Sequence, residues 1–219
     1  MKKRILTFIL CLVLALPLLC FNFACDNTSG NTSTQEMAAA SADNYKIYLN
    51  KTFNNITDAA DVQGYNGWYY YCGTPSKGNL EKMIFQASSG RWCSAWNQLY
   101  EFTYIWGSWL PDGQTSEGIG MSFMAPATGT LTFTLKIHVL CDTNYLSSQV
   151  VRMEITNKTG TSYSTKAISS ADVGKDIEYS LTNVKLTKGT EIFFMLYARS
   201  GNVNCHTKVD ITAKYTGAY

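Results

Sequence analysis

The stretch Thr130 to Asp142 reads TLTFTLKIHVLCD. Leu131, Phe133, Leu135, Ile137 and Val139 fall on one face of an extended chain, and Thr132, Thr134, Lys136 and His138 fall on the other. A period of two over so long a run predicts a β-strand with one buried and one wetted face, the pattern of an antiparallel sheet packed on one side. Shorter runs of the same kind follow at Val151, Met153 and Ile155, at Ile177, Tyr179 and Leu181, and at Val209, Ile211, Ala213 and Tyr215. Ile192 to Tyr197 is apolar at every position, as expected of a central strand covered on both faces. Turn signals separate the runs at 127–129, 157–160, 187–189 and 200–202, each with a glycine. Many short strands, each with one alternating face, predict an all-β, two-sheet antiparallel β-sandwich. There is no βαβ alternation and no internal repeat.

Residues upstream of this body have a different composition. Lys2, Lys3 and Arg4 precede an almost unbroken apolar stretch from Ile5 to Phe23, the layout of an export signal. Ala24 and Cys25 resemble the bacterial lipobox, although Asn22 stands where an aliphatic residue is usual. A lipoprotein-type signal over 1–24, with Cys25 as the lipidation site, is the leading reading. A plain secretory signal and an uncleaved anchor are the alternatives. All three export the domain. Residues 25–44 are rich in Ser, Thr, Asn, Gly and Ala, with too little apolar surface to order themselves, and read as a flexible tether. The sandwich domain is expected over 45–219.

Composition fits one exported globular domain. The 219 residues are 46% hydrophobic and 16% charged, which excludes a largely disordered chain. The formal charge of +2 comes from 18 Lys and Arg against 16 Asp and Glu. Loss of the three basic residues with the signal leaves 15 against 16, a net charge of −1. No nucleic-acid footprint is present.

The aromatic residues are unevenly spread. Of 29 Phe, Trp and Tyr residues, 13 lie between Tyr65 and Trp109, including all 5 Trp. Tyr100, Phe102, Tyr104 and Trp106 alternate with Glu101, Thr103 and Ile105, and read as the packed inner face of one strand. In Trp68 to Cys72 both strand faces are aromatic, so one of them is a candidate for exposure. Trp92, Trp96 and Trp109 lie in a loop-like context, where an indole either plugs the end of a sandwich or presents its face to a ligand. A pyranose ring has an apolar C–H face that an aromatic ring covers, and hydroxyls that polar side chains bond. Trp92, Trp96, Trp109 and Tyr70, with Arg91, Asn97 and Asp112 nearby, are therefore the candidate carbohydrate-binding residues. Protein interfaces favour the same residue types.

The order of several segments is similar to a known family. Gly67 to Tyr71, Glu81 to Met83, Trp92 and Trp109 to Pro111 precede Ala125-Pro126 and Thr128 to Leu131. Lys188 to Phe194 then precedes Asp210 to Thr212. This succession resembles the jelly-roll, carbohydrate-binding-module-like domains of secreted and lipid-anchored proteins of Gram-positive type, over roughly residues 64 to 216. The resemblance implies a jelly-roll or galactose-binding-like sandwich with a carbohydrate ligand. Thr190 stands where an Asp is common in that pattern, and Cys205-His206 where a Tyr-Asp pair often sits.

Four cysteines lie in the expected domain: Cys72, Cys93, Cys141 and Cys205. In an exported protein they read as two disulfides, with Cys72–Cys93 and Cys141–Cys205 preferred because each pair stays within its own half. Buried thiols are the alternative. No cysteine and histidine spacing suits zinc, and no cofactor or metal is expected. Only His138 and His206 are present, no Gly-x-Ser-x-Gly elbow occurs, and Gly118 to Phe123 lacks the third glycine of a dinucleotide loop. Glu101 and Glu117 flank the tryptophan-rich segment and give a weak hydrolase alternative through paired carboxylates. The expectation is a monomeric, non-catalytic surface lipoprotein, held to the membrane by its lipid and binding carbohydrate. A surface module with a structural or protein-interaction role is the second reading.

Overall fold

The computed structural model describes residues 44–88, 90–93, 98–100, 104–106, 118–140, 151–198 and 206–219. The expected signal, Cys25 and the tether up to residue 43 lie outside the described residues, as do Cys141, Cys205, Trp96, Asn97, Trp109 and Asp112. The described residues form an all-β sandwich of two antiparallel sheets.

The first sheet has eight strands. Its spine is β9 (Gly129–Val139) between β12 (Asp176–Leu186) and β14 (His206–Gly217). Beyond β14 come β7 (Tyr104–Trp106), β6 (Gln98–Tyr100), β5 (Arg91–Cys93) and β4 (Ile84–Gln86). β1 (Thr52–Asn54) pairs with the C-terminal half of β14, while β7 pairs with its N-terminal end. The second sheet runs in the order β11 (Ser162–Ile168), β10 (Val151–Asn157), β13 (Glu191–Ala198), β8 (Gly118–Met124), β2 (Trp68–Gly73) and β3 (Glu81–Lys82). From β8 onward the chain passes repeatedly from one sheet to the other, which is the wrapping of a jelly roll.

The long alternating strand behaves as its pattern requires. Leu131, Phe133, Leu135, Ile137 and Val139 are all fully buried. Val209, Ile211 and Ala213 of β14 lie beside them on the same inner face. Ile192 and Phe194 of β13, with Met153 and Ile155 of β10, close the core from the second sheet.

β13 is covered on its other face too. Phe193, Met195 and Tyr197 are buried together with Tyr71, against which Tyr69 and Leu80 pack. The β2–β3 connection folds back over the second sheet at this point. The doubly apolar run from Ile192 to Tyr197 thus has a cover on each side, and both aromatic faces of β2 are used. Trp68 and Tyr70 enter the main core, while Tyr71 joins the smaller cluster.

Two close approaches shape the second sheet and its rim. A Cβ on Gly120 of β8 would lie 2.0 Å from the carbonyl oxygen of Phe194 on β13, so only glycine fits there. Gly160, at φ +83°, brings the β10–β11 turn against Ser76, and a Cβ there would lie 2.3 Å from the Ser76 side chain.

A buried amide joins the strand entry to β14. Asn55 is fully buried, and its Nδ2 donates to the Val209 carbonyl at 2.8 Å. Its Oδ1 accepts the Ile211 N–H at 2.6 Å. The side chain thus continues the ladder where β1 ends. Tyr215 also holds backbone: its hydroxyl donates to the Ala127 carbonyl at 2.7 Å and accepts the Ala127 N–H at 3.1 Å.

Three expectations need correction. Trp92 is 2% exposed and Tyr70 is 0% exposed, and their rings stack on each other at 4.6 Å. They come from opposite sheets and seal the sandwich between β2 and β5, so neither offers a face to a sugar. Cys72 and Cys93 are buried thiols instead of the expected bridge. Burial holds the Cys93 thiol above its ordinary pKa, despite the opposing Arg91 charge, so the thiolate needed for exchange is disfavoured. Finally, Tyr100 and Tyr104 belong to two strands, β6 and β7, that pair antiparallel with Tyr100 opposite Tyr104, and do not share one strand.

Candidate ligand-binding face

Ladder register assembles a face that no local run of sequence spells out. Directly paired residues in a ladder lie on the same side of the sheet. His138 pairs with Asp176 on one side and Lys208 on the other. Lys208 pairs with Tyr104, Tyr104 with Tyr100, Tyr100 with Arg91, and Arg91 with Gln86. The result is one row across seven strands, from Asp176 on β12 to Gln86 on β4. At a strand spacing of 4.7–4.9 Å, six spacings make about 29 Å.

The neighbouring row fixes which way this one faces. Thr207, Ile105, Leu99, Trp92 and Phe85 are paired in turn by the same ladders. Thr207 and Trp92 are buried, so that row faces the core. In the other row Asp176, Lys208 and Gln86 are exposed and His138 and Arg91 half-buried, so these side chains lie on the outward face. Trp106 pairs with His206 one step further along the same ladder. Of the four aromatic residues expected to pack inward, Tyr100, Tyr104 and Trp106 are placed by strand pairing alone, and Phe102 lies outside the described residues.

One end of the row is a depression of about 530 Å³ lined by Lys136, His138, Leu140, Asp176, Lys208 and Asp210. Its volume lies in the range of small-ligand sites. Asp176 organises it: Lys136 Nζ lies 2.7 Å from Oδ2, and His138 Nδ1 lies 2.6 Å from Oδ1. These contacts, that of Lys136 first, hold the Asp176 carboxyl below its ordinary pKa. A carboxylate only accepts, so Nδ1 of His138 carries the hydrogen, and Nε2 is the acceptor of the neutral ring. Lys136 also reaches Glu178 at 3.4 Å, and the Asp176 carboxylate chiefly raises its pKa. Asp210 is held from the other side by Asn54 Nδ2 at 2.5 Å. Lys208 is exposed and makes no ion pair among the described residues.

This arrangement can bind but has no evident catalytic pair. The carboxylates are engaged by cations or by an amide, and pairs this exposed contribute little to stability. Among the described residues no three His, Cys, Asp or Glu side chains are grouped to hold a metal ion. Of the residues expected to bind carbohydrate, Arg91 takes a place in the row, and Trp92 and Tyr70 are in the core. Lys136, His138, Asp176 and Lys208 carried no motif, and Asp210 entered only through the segment order of the family resemblance. The only local hint was the polar alternate face of the long strand.

No family model matches the chain, and no curated protein matches it. Among solved structures the chain is similar to the xylan-binding module CBM15, with 13% identity over 77% of this chain and 98% of that one, at a TM-score of 0.39. It is also similar to the structure of TmCBM61 in complex with β-1,4-galactotriose, with 8% identity over 78% and 94% of the two chains, at a TM-score of 0.33. A third is the CBM36-1 domain of a multidomain xylanase from the hindgut metagenome of Trinervitermes trinervoides, with 17% identity over 48% and 77%, at 0.32.

Proposed function

We propose that this protein is a non-catalytic, cell-surface lipoprotein whose sandwich binds carbohydrate on the outer face of the eight-stranded sheet. The observation that carries the reading is the transverse row on that face. Tyr104 and Tyr100 are consecutive members, with Lys208, His138 and Asp176 on one side and Arg91 and Gln86 on the other. Aromatic rings suit the C–H faces of sugars, and flanking donors and acceptors suit their hydroxyls. A row about 29 Å long, at the strand spacing used above, suits an extended chain better than a single ring. The lipid on Cys25 would hold the domain at the membrane and the tether would let it reach polymer beyond it.

The test is affinity electrophoresis of the detergent-solubilised full chain through gels containing soluble xylan, galactan or β-glucan. Retardation by at least one polymer is expected, and Tyr104→Ala or Lys208→Ala should weaken it about tenfold, while Lys166→Ala on β11 should not. Retardation by none, or retardation untouched by both face variants, rejects the reading and favours a protein-interaction module. Cys25→Ser should release the protein from the membrane fraction; unchanged membrane association would reject the lipid anchor.

A further inference from the structure

A second cavity lies on the other side of the sandwich, where the β2–β3 connection folds over the six-stranded sheet. It has a volume of about 360 Å³ and is lined by Tyr71, Pro75, Leu80, Phe193 and the charged side chains Lys82, Lys158 and Glu191. Its floor is apolar and its rim carries two ammonium groups and one carboxylate.

The carboxylate is held in place. Glu191 Oε1 accepts the Tyr71 hydroxyl at 3.1 Å and the Ser122 hydroxyl at 3.0 Å. Burial and the nearby Glu191 charge both push the Tyr71 phenol up, which keeps it a donor. Oε2 of Glu191 accepts no hydrogen bond among the described residues.

The Lys82 ammonium and the turn that carries Lys158 are placed as well. Lys82 Nζ sits 4.8 Å from the centre of the Tyr69 ring. Lys158 stands in the β10–β11 turn, whose loop closes on Asn157: its Oδ1 accepts the N–H groups of Thr159 at 3.0 Å and Thr161 at 2.8 Å. The close approach of Gly160 to Ser76 then fixes that turn against the covering segment. Lys158 has no ion-pair partner among the described residues.

Two ammonium groups and one carboxylate leave one positive charge, so a ligand with a single negative charge neutralises the site. An amino-acid-like zwitterion would bring its own ammonium toward two others, which is unfavourable. A carboxylate for the lysines, hydroxyl donors for Glu191 and a C–H face for the apolar floor are together the chemistry of a sugar acid. We propose that this cavity is a binding site for a hexuronic acid, taken as a single unit or at the end of a chain. It shares no residue with the row on the first sheet.

The probes are sodium D-glucuronate and D-galacturonate, with D-glucose, D-galactose and sodium acetate as controls. Binding to the detergent-solubilised full chain would be followed by saturation-transfer NMR at low salt. Uronate should bind and the neutral sugars and acetate should not. Lys158→Ala and Glu191→Gln should each weaken binding about tenfold, the cost of one charge-assisted contact. Lys158 is exposed, so its variant should keep the parent unfolding temperature, and Glu191→Gln keeps an oxygen for Tyr71 and Ser122. Equal binding of acetate would overturn the sugar-acid assignment in favour of a bare anion site. No uronate binding, or binding unaffected by both substitutions, would overturn the site itself. Tyr104→Ala should leave uronate binding intact, so failure here and failure of the first-sheet reading are separate results.

Discussion

Replacing Trp92 by alanine separates a structural indole from a ligand platform. Trp92 is 2% exposed, stacks on Tyr70 at 4.6 Å and meets Phe85 edge-on at 5.4 Å. Core Trp→Ala changes cost about 3–5 kcal/mol. The Trp92 Nε1 is buried with no hydrogen-bond partner among the described residues, so its removal returns about 1 kcal/mol or more. A net loss of about 3 kcal/mol follows, which lowers Tm by about 6–12 °C in a domain of this size. Differential scanning fluorimetry of the parent, Trp92→Ala and Trp92→Phe gives the measurement, with phenylalanine recovering part of the loss. Gel retardation at a temperature where all three are folded should be equal. A variant with unchanged Tm and lost polysaccharide binding would refute the reasoning, since it would put the indole at the ligand.

Gly120→Ala should destabilise more than any substitution in the first sheet's outer face, because its Cβ would meet the Phe194 carbonyl; poor recovery of folded protein, or a circular dichroism melt lowered well beyond Trp92→Ala, is expected. Asn55→Ala strands the Val209 carbonyl and the Ile211 N–H in the core and should cost about 2–6 kcal/mol by urea unfolding, at about 1–3 kcal/mol for each group; a change below the error of the fit would count against the buried ladder role. Asp172 and Asp176 both have pKa values held below the ordinary carboxylate value, Asp172 by the Ser169 backbone and hydroxyl, and Asp176 by Lys136 and His138. Their contribution is therefore present above the unfolded value of about 3.9 and is lost as pH falls through the folded values. Tm should decline more steeply below about pH 4 in the parent than in an Asp172→Asn, Asp176→Asn double variant, and equal slopes would reject the assignment.

Much of the fold was legible because burial on one face writes a period of two into the chain. The long strand, the last strand and the doubly apolar Ile192 to Tyr197 run all form where their patterns put them. The candidate site was far less legible. Asp176 and Lys208 meet His138, and Tyr104 and Arg91 join the same row, only through pairing with distant strands, and an exposed polar position looks the same wherever its strand goes. Trp92 misled for a related reason. Its glycine and serine neighbours read as loop, yet β5 is a short strand whose register with Leu99 turns the indole inward and Arg91 outward.

By itself, then, the amino-acid order determined that this body is a sandwich of half-buried strands and that all 5 of its Trp residues lie between Tyr65 and Trp109. Which aromatics are core and which face outward was decided only by the tertiary structure. A shift of one residue in register exchanges the two faces of a strand, and register is set by long-range pairing and by what packs behind it. The same cause left the second cavity unreadable: Lys82, Lys158 and Glu191 are far apart in the chain and meet because one connection folds across the back of a sheet.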